Sequence, residues 1–215
     1  MTTRHIIPSL LLASALALGA GAVRADDALP ATPTEPAAVN VGLLGQVYGT
    51  LSYGYINLDA TSVHADNYRL AVNQPLAFGL DGLLSYDFTH AGDFAGAPAR
   101  QHTFTGALRA FSTSYNWGKP YVEAGIGFTT ARYANDGDDS YLWEVAGGVE
   151  FQVAPATTVT PYVQYGDTPD LPGAGRWKFG VKANHWVSST AAVTAGIERD
   201  DDQNTMFTIG TNFRF

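Results

Sequence analysis

The sequence of 215 residues contains no cysteine, so disulfide bonds contribute nothing to its stability. A fold without disulfides must depend on backbone pairing and on the packing of its side chains. Positive charge is also scarce, because 12 Lys and Arg stand against 20 Asp and Glu, a formal net charge of −8. Nucleic-acid binders usually present a basic face, so we expect no nucleic-acid partner.

Charge of either sign is sparse, and so are long apolar runs. Charged residues make up 15% of the sequence, whereas the surface of a soluble domain typically carries about 25–35%. The long apolar run, residues 6–18, is shorter than the roughly 20 residues that a membrane-spanning helix needs. If the mature chain lies in a membrane, it must cross with strands, since only helices and closed barrels satisfy the backbone in lipid.

The N-terminal residues have the pattern of a secretory signal peptide. Arg4 and His5 precede the apolar run, and Val23-Arg24-Ala25 fits a cleavage site with small residues at both ends. We therefore predict a signal peptide over residues 1–25, with an uncleaved membrane anchor as the alternative. Residues 26–42 are rich in Pro and Ala and are predicted to form a flexible periplasmic tail.

The last ten residues alternate between apolar and polar side chains. Phe207, Ile209, Phe213 and Phe215 occupy one parity, and Arg214 belongs to the other, polar parity. Successive side chains of a strand point to opposite faces, so this stretch is predicted to be a strand with one apolar face. A closed barrel can end on such a strand because the first strand covers its edge.

The same alternation recurs along residues 43–215, interrupted by turn signals. The predicted strands are 46–59, 67–76, 80–90, 102–113, 121–132, 140–153, 157–166, 176–187, 190–198 and 206–215. This predicts about ten strands, or eight if 67–76 and 190–198 do not span. We expect short turns at one end (77–79, 154–156, 188–189), longer loops at the other (60–66, 91–101, 167–175), and further turns at 116–120, 135–139 and 200–204. Pro161 is predicted to lie near a strand end or at a bulge.

The two faces of the strands differ in a way that predicts a membrane barrel. Along residues 140–153 the apolar face carries aromatic side chains toward its ends and aliphatic ones between them, as in the aromatic girdles at a bilayer's interfaces. We therefore expect the apolar face to meet lipid, and a soluble lipocalin-like carrier is the alternative. The aromatic residues predicted to face the membrane are Tyr53, Tyr86, Phe88, Phe104, Phe128, Tyr141, Trp143, Phe151, Tyr165, Trp177, Phe179, Phe207, Phe213 and Phe215.

The final strand ending in Phe215 resembles the C-terminal signature of bacterial outer-membrane β-barrel proteins. In general build, residues 43–215 are similar to the small porin-like barrels of the OmpA-transmembrane and OmpX type. The resemblance implies an all-β, closed, antiparallel up-and-down transmembrane barrel located in the outer membrane after export. It also implies contact with outer-membrane lipids and lipopolysaccharide, and recognition of the terminal strand by the barrel-assembly machinery.

Charged residues of both signs are predicted to line the lumen. An unpaired charge there is costly, so we expect pairing or bridging water. The lumen is then either a plugged, structural interior or a narrow hydrophilic pore, and inward glycines such as Gly148 and Gly180 could leave space in it. A surface-binding or adhesion protein is the alternative function. The predicted lumen-lining residues are Arg69, Asp81, Asp87, Arg109, Glu123, Glu144, Glu150, Lys178, Lys182, Glu198 and Arg214.

Residue types for catalysis or metal binding occur, but without the spacing of a known motif. A lipase-like site would use His185 with Ser188 or Ser189, and a protease-like site would use Asp87, His90 and the run 200–202. A metal site would use His90, His102 and Asp93, and Ca²⁺ would use the acidic runs 136–139 or 200–202. We predict a non-enzymatic protein with no catalytic residue, metal or cofactor.

Overall fold

Ten strands form a single closed barrel in the computed structural model, which describes residues 42–59, 63–94, 97–133, 136–171 and 175–215. The predicted signal peptide and nearly all of the predicted tail lie outside these residues. The strands are β1 (Tyr48–Asn57), β2 (His64–Ala77), β3 (Leu80–Phe94), β4 (Ala97–Phe111), β5 (Lys119–Tyr133), β6 (Asp136–Ala154), β7 (Thr157–Asp167), β8 (Arg176–Trp186), β9 (Ala191–Asp200) and β10 (Thr205–Arg214).

Each strand pairs antiparallel with the next along the chain, and β1 pairs with β10. The closing ladder runs from Tyr48 opposite Arg214 to Asn57 opposite Thr205. The terminal strand therefore leaves no open edge on β1, which confirms the predicted up-and-down barrel. The eight-strand alternative is wrong, because the weakly patterned segments 67–76 and 190–198 belong to β2 and β9.

At the barrel end where β1 finishes, β2 to β6 extend farther than the turn signals predict, whereas β1 is shorter than the predicted 46–59. The expected loop 91–101 is wrong, because β3 and β4 remain paired from Ala91 opposite Ala99 to Phe94 opposite Ala97. Ala91 is buried against Ile56, so packing and ladder bonds outweigh the local turn composition. The expected turn 135–139 is also wrong, because Asp136 already pairs with Tyr133.

The two ends of the barrel can be told apart by where the strands begin and finish. We call the end where β1 begins and β10 finishes the terminal end, and the opposite one the far end. The connection 112–118 lies at the terminal end, because it joins the finish of β4 to the start of β5. We expected only short turns at this end, and the connection 112–118 does not fit that expectation. The predicted turn 116–120 is also partly wrong, because β5 begins at Lys119.

Pro161 lies inside β7, paired with Val181 of β8. On the other side, the ladder between β6 and β7 has partners at Gly148–Tyr162 and Phe151–Val159 but skips Pro161. The missing N–H thus interrupts one ladder without ending the strand. The expected place at a strand end or bulge is wrong, since the register shift lies between Gln152 and Ala154.

Burial is inverted relative to a soluble protein. Large apolar side chains are exposed on the outside, for example Ile126 at 75% and Leu51 at 54%, while Asp81 and Asn73 are fully buried inside. Soluble proteins bury their large apolar side chains and expose their charges, so this arrangement is that of a transmembrane barrel. Among the described residues, no helix is both long and apolar enough to span a bilayer.

Candidate functional site: the barrel lumen

The charged side chains predicted to line the lumen all occupy inward parities of their strands. Alternation explains this placement, because on each strand they are offset by one residue from the exposed apolar set. On β6, Glu144 and Glu150 are buried whereas Tyr141 and Val145 are exposed. Most of these charges have specific protein partners, which are of two kinds: oppositely charged side chains and neutral hydrogen-bond donors.

One group contains two ion pairs in the barrel wall. Arg109 of β4 lies 2.6 Å from Glu123 of β5, and its guanidinium lies 5.1 Å from the centre of the Tyr121 ring. Lys178 of β8 lies 3.2 Å from Glu198 of β9. These pairs join neighbouring strands directly, so they offset the cost of placing charge inside the barrel.

A second group holds carboxylates through neutral hydrogen-bond donors. Gln164 donates to Glu144 at 2.8 Å, and Tyr162 donates to Glu198 at 2.6 Å. Asp87, which is 1% exposed, accepts from Asn67 and Ser85 at 3.4 Å each. These donors replace part of the water that an ionised carboxylate would otherwise require.

A cavity of about 160 Å³ lies in the middle of the lumen. The Lys182 ammonium lies 4.7 Å from the centre of the Tyr162 ring and faces this cavity. Other polar side chains that line it include Thr50, Asn67, Arg69, Gln164, Asn184 and Thr194. Leu44 and Leu83 line it as well, so the lumen contains a space of mixed lining that is large enough for water.

The sequence suggested that inward glycines leave open space in the lumen. The structure shows that Gly148 and Gly180 do not. A Cβ on Gly148 would lie 2.8 Å from the Tyr121 hydroxyl oxygen, and a Cβ on Gly180 would meet the Tyr162 ring. Both contacts would be closer than real Cβ atoms approach. These glycines accommodate tyrosine rings, which narrow the lumen to the cavity beside them.

At the far end, the inner wall formed by β1, β2 and β3 carries an apolar cluster. Ile56, Leu58, Ala65 and Ala91 are all buried there, and Met206 of β10 packs against them. The cluster lies above the central cavity on this side. It narrows the far end of the lumen.

At the terminal end, the chain before β1 lies against the inner wall. We call residues 42–46 the N-terminal segment. The Leu43 N–H donates to the Glu150 carboxylate at 2.7 Å, and the Gly45 N–H donates to Asp81 at 3.0 Å. Leu44 is buried and lines the central cavity. Two of the predicted lumen charges thus hold backbone groups of this segment.

Sequence reasoning missed this segment and two lumen cations. The predicted barrel begins at residue 43, but Gly42-Leu43-Leu44-Gly45 has no strand pattern, so nothing local indicates that it lies inside the lumen. Lys119, which lies 3.6 Å from Glu150, was hidden by the predicted turn. Arg176 lies 3.3 Å from Asp200 and also pairs with Asp202. Its parity, shared with Lys178, is the signal that could have placed it in the lumen.

The aromatic residues predicted to face the membrane lie on the outward parities of their strands. Toward the far end they touch across strands: the ring centres are 5.5 Å apart for Tyr53–Tyr68 and 4.8 Å for Tyr86–Phe104. Trp143–Tyr165 and Tyr165–Trp177 continue this contact at 5.4 and 5.0 Å. Toward the terminal end, exposed aromatic side chains include Phe78, Tyr115, Trp117, Phe213 and Phe215. The outside therefore carries an aromatic belt near each end, as interfacial aromatics do.

The residues considered for catalysis have other partners. His185 Nδ1 lies 2.9 Å from the Thr157 hydroxyl, and the Ser188 hydroxyl accepts from the N–H groups of Thr190 and Ala191 in its turn. Asp87 points into the lumen, whereas His90 shares the outer face of β3 with Phe88, whose ring stacks on it. Neither set forms the nucleophile–base contact that hydrolysis requires.

The residues considered for metal binding are also dispersed. Within the described ranges, no group of three or more His, Asp or Glu side chains is arranged to hold a metal ion. His102 hydrogen-bonds with the Tyr86 hydroxyl at 2.8 Å, and the side chain of Asp93 lies outside the described residues. Asp139 pairs with Arg132 at 2.9 Å, and Asp200 pairs with Arg176. Arginine side chains thus neutralise part of both acidic runs.

Comparison with known proteins identifies the fold and no narrower family. The chain matches no protein-family profile, and no curated protein matches it in sequence. Among solved structures, the NanC porin is 10% identical with a TM-score of 0.50, and the match covers 78% of this chain and 100% of that one. Neisserial surface protein A is 11% identical (TM-score 0.46; 79% and 96% covered), and OprG of Pseudomonas aeruginosa is 14% identical (0.42; 80% and 96%). The fold is that of bacterial outer-membrane β-barrel proteins, as the final strand predicts.

Proposed function

We propose that this protein is a non-enzymatic barrel of the bacterial outer membrane, with its terminal end in the periplasm. The exposed apolar wall and the two aromatic belts support a bilayer position. An N-terminal tail and a terminal strand at the same end fit export followed by recognition of β10 by the assembly machinery. The outer-leaflet surface would then contact lipopolysaccharide and the inner one phospholipid.

We propose further that the lumen is a narrow hydrophilic pore, closed in the present conformation. The observation that carries this proposal is the cavity of about 160 Å³ in mid-lumen, which lies beside Lys182 and has several polar side chains in its wall. A purely structural interior would gain more from filling this space with side chains, because unfilled volume forfeits packing contacts. Leucine side chains contribute to the cavity wall, but it also includes groups that hydrate readily, such as Thr50, Asn184 and Thr194.

A structural barrel without a pore is the second candidate. The ion pairs Arg109–Glu123 and Lys178–Glu198 favour it, because they cross-link neighbouring strands and reduce the free cross-section. The apolar cluster around Ile56 and Leu58 favours it as well. The two candidates differ in whether any state of the barrel conducts ions.

Two measurements on the refolded mature chain test these proposals. Folding into detergent should give a heat-modifiable shift on gels, and a chain that stays soluble and folded without detergent would contradict the membrane assignment. In planar bilayers, a pore should give discrete single-channel steps, at least under voltage or in variants with an opened lumen. Silence under all of these conditions would support the structural barrel.

A further inference from the structure

The N-terminal segment, residues 42–46, touches opposite sides of the barrel at its terminal end. It is bonded to Asp81 of β3 and Glu150 of β6, and Leu43 packs against Trp186 of β8 and Ala192 of β9. Because β3 and β8 lie across the ring from each other, a chain that contacts both must cross the mouth. It does not merely run along the rim.

The two ends of the segment are held by the two strands that flank β1: Gly42 by β10 and Gln46 by β2. Arg214 of β10 donates to the carbonyl oxygen of Gly42 at 3.2 Å, and its guanidinium lies 4.0 Å from the centre of the Trp186 ring. Asn73 of β2, which is fully buried, donates to the carbonyl oxygen of Gln46 at 2.7 Å. The segment is therefore bound through backbone groups along its length, by side chains that belong to several strands.

Glycine is required at position 45 by the backbone conformation and is favoured at position 42 by close side chains. Gly45 has φ of +76°, a left-handed conformation that favours glycine, and a Cβ there would lie 3.0 Å from the Phe111 ring. A Cβ on Gly42 would collide with the Glu150 carboxylate and the Lys119 ammonium. The pair of glycines lets the backbone approach the wall closely, while Leu43 and Leu44 between them supply the apolar cover.

We propose that the N-terminal segment is a latch that closes the periplasmic mouth of the lumen, and that its release opens the pore. Leu44 forms the floor of the central cavity, so withdrawing the segment joins this cavity to the solvent at the terminal end. The segment is held by side chains of Asp81, Glu150, Asn73 and Arg214, and these contacts are separate from the backbone hydrogen bonds that pair β1 with its neighbours. Opening therefore leaves the ten-strand ladder intact. Conductance through the opened latch rests on the proposed pore function, whereas the binding of the latch does not.

Single-channel recording tests the gate. The double variant Gly42→Val/Gly45→Val should conduct with discrete steps at voltages where the wild-type chain is silent or opens at least tenfold less often. The matched control is Gly92→Val, because nothing lies within 4 Å of a Cβ there, and it should behave as the wild type does. If the wild type, the control and the double variant all conduct alike, the latch proposal is wrong but the pore proposal stands. If none of the three conducts, and a chain that starts at Val47 does not conduct either, the pore proposal is wrong and so is the proposed gate.

Amide hydrogen exchange tests the latch independently of conduction. The Leu43 and Gly45 amides should be protected in the refolded protein, and Glu150→Gln and Asp81→Asn should each speed exchange at the amide they hold by roughly tenfold, as expected for loss of a charge-assisted hydrogen bond. Glu144→Gln is the control, because this lumen carboxylate is held by Gln164 and not by the segment. Unprotected amides in the wild type, or equal effects of all three variants, would show that the segment is not bound as proposed.

Discussion

Arg109 and Glu123 meet at 2.6 Å on the inner wall, from directly paired positions of β4 and β5. Both side chains are mostly buried, with 16% and 11% of their surfaces exposed. The Tyr121 ring lies 5.1 Å from the guanidinium, and both side chains line the central cavity. The pair shows how the lumen is organised, since its charges are held by strand register.

Breaking this pair should destabilise the barrel more than breaking an exposed one. Arg109→Met leaves the Glu123 carboxylate without its cation, and we expect it to lower the free energy of unfolding by about 1.5–3 kcal/mol. Arg132→Met breaks the pair with Asp139, half exposed on both sides, and should cost about 0–1 kcal/mol. Urea unfolding in lipid vesicles measures both. Equal losses would show that the lumen pair is as well solvated as the surface pair.

The assignment of faces predicts opposite tolerance at two adjacent positions of β6. Val145 is 45% exposed on the outer wall, whereas Ala146 belongs to the inner face. Val145→Arg places a charge in the bilayer and should cost roughly 2–4 kcal/mol, while Ala146→Ser should cost less than about 1 kcal/mol. The same unfolding assay in vesicles applies. Similar costs at both positions would contradict the assigned faces.

Two neighbouring glycines of β6 should also differ. A Cβ on Gly148 would lie 2.6 Å from the Pro161 carbonyl oxygen and 2.8 Å from the Tyr121 hydroxyl oxygen, whereas one on Gly147 would meet its nearest neighbour at 3.6 Å. Gly148→Ala should therefore lower the free energy of unfolding by about 1–3 kcal/mol through overpacking, and Gly147→Ala should be nearly neutral. A neutral Gly148→Ala would mean that the Tyr121 ring does not fill the lumen at this level.

If the pore conducts, Lys182 should influence which ions pass. Its ammonium faces the central cavity, and charged side chains in a narrow lumen set ion selectivity. In the latch-opened background, Lys182→Glu should move the reversal potential in a salt gradient toward cation preference. Arg199→Glu is the control, because Arg199 lies exposed on the outer parity of β9. An equal shift in both variants would place the conducting path elsewhere.

Particular elements show how far the sequence alone reaches. Alternation places Glu144 inside and Val145 outside without any knowledge of neighbouring strands, because successive side chains of any strand point to opposite faces. The same rule places Arg214 inside and Phe215 outside. It does not locate strand ends: Ala91 and Ala99 lie in a stretch whose composition favours a loop, yet they pair in the ladder.

Only the tertiary structure determines which group each charged side chain in the lumen contacts. Register between β4 and β5 brings Arg109 to Glu123, and the ring as a whole brings Glu150 to the backbone of Leu43, 107 residues away. No local pattern encodes these contacts, because they exist only once ten strands have closed and enclosed a common interior. The sequence by itself determined the fold class and the two faces, since alternation is a property of each strand alone. Barrel closure determines which group each inward charge contacts, and it places Gly42-Leu43-Leu44-Gly45 against the inner wall at the terminal end.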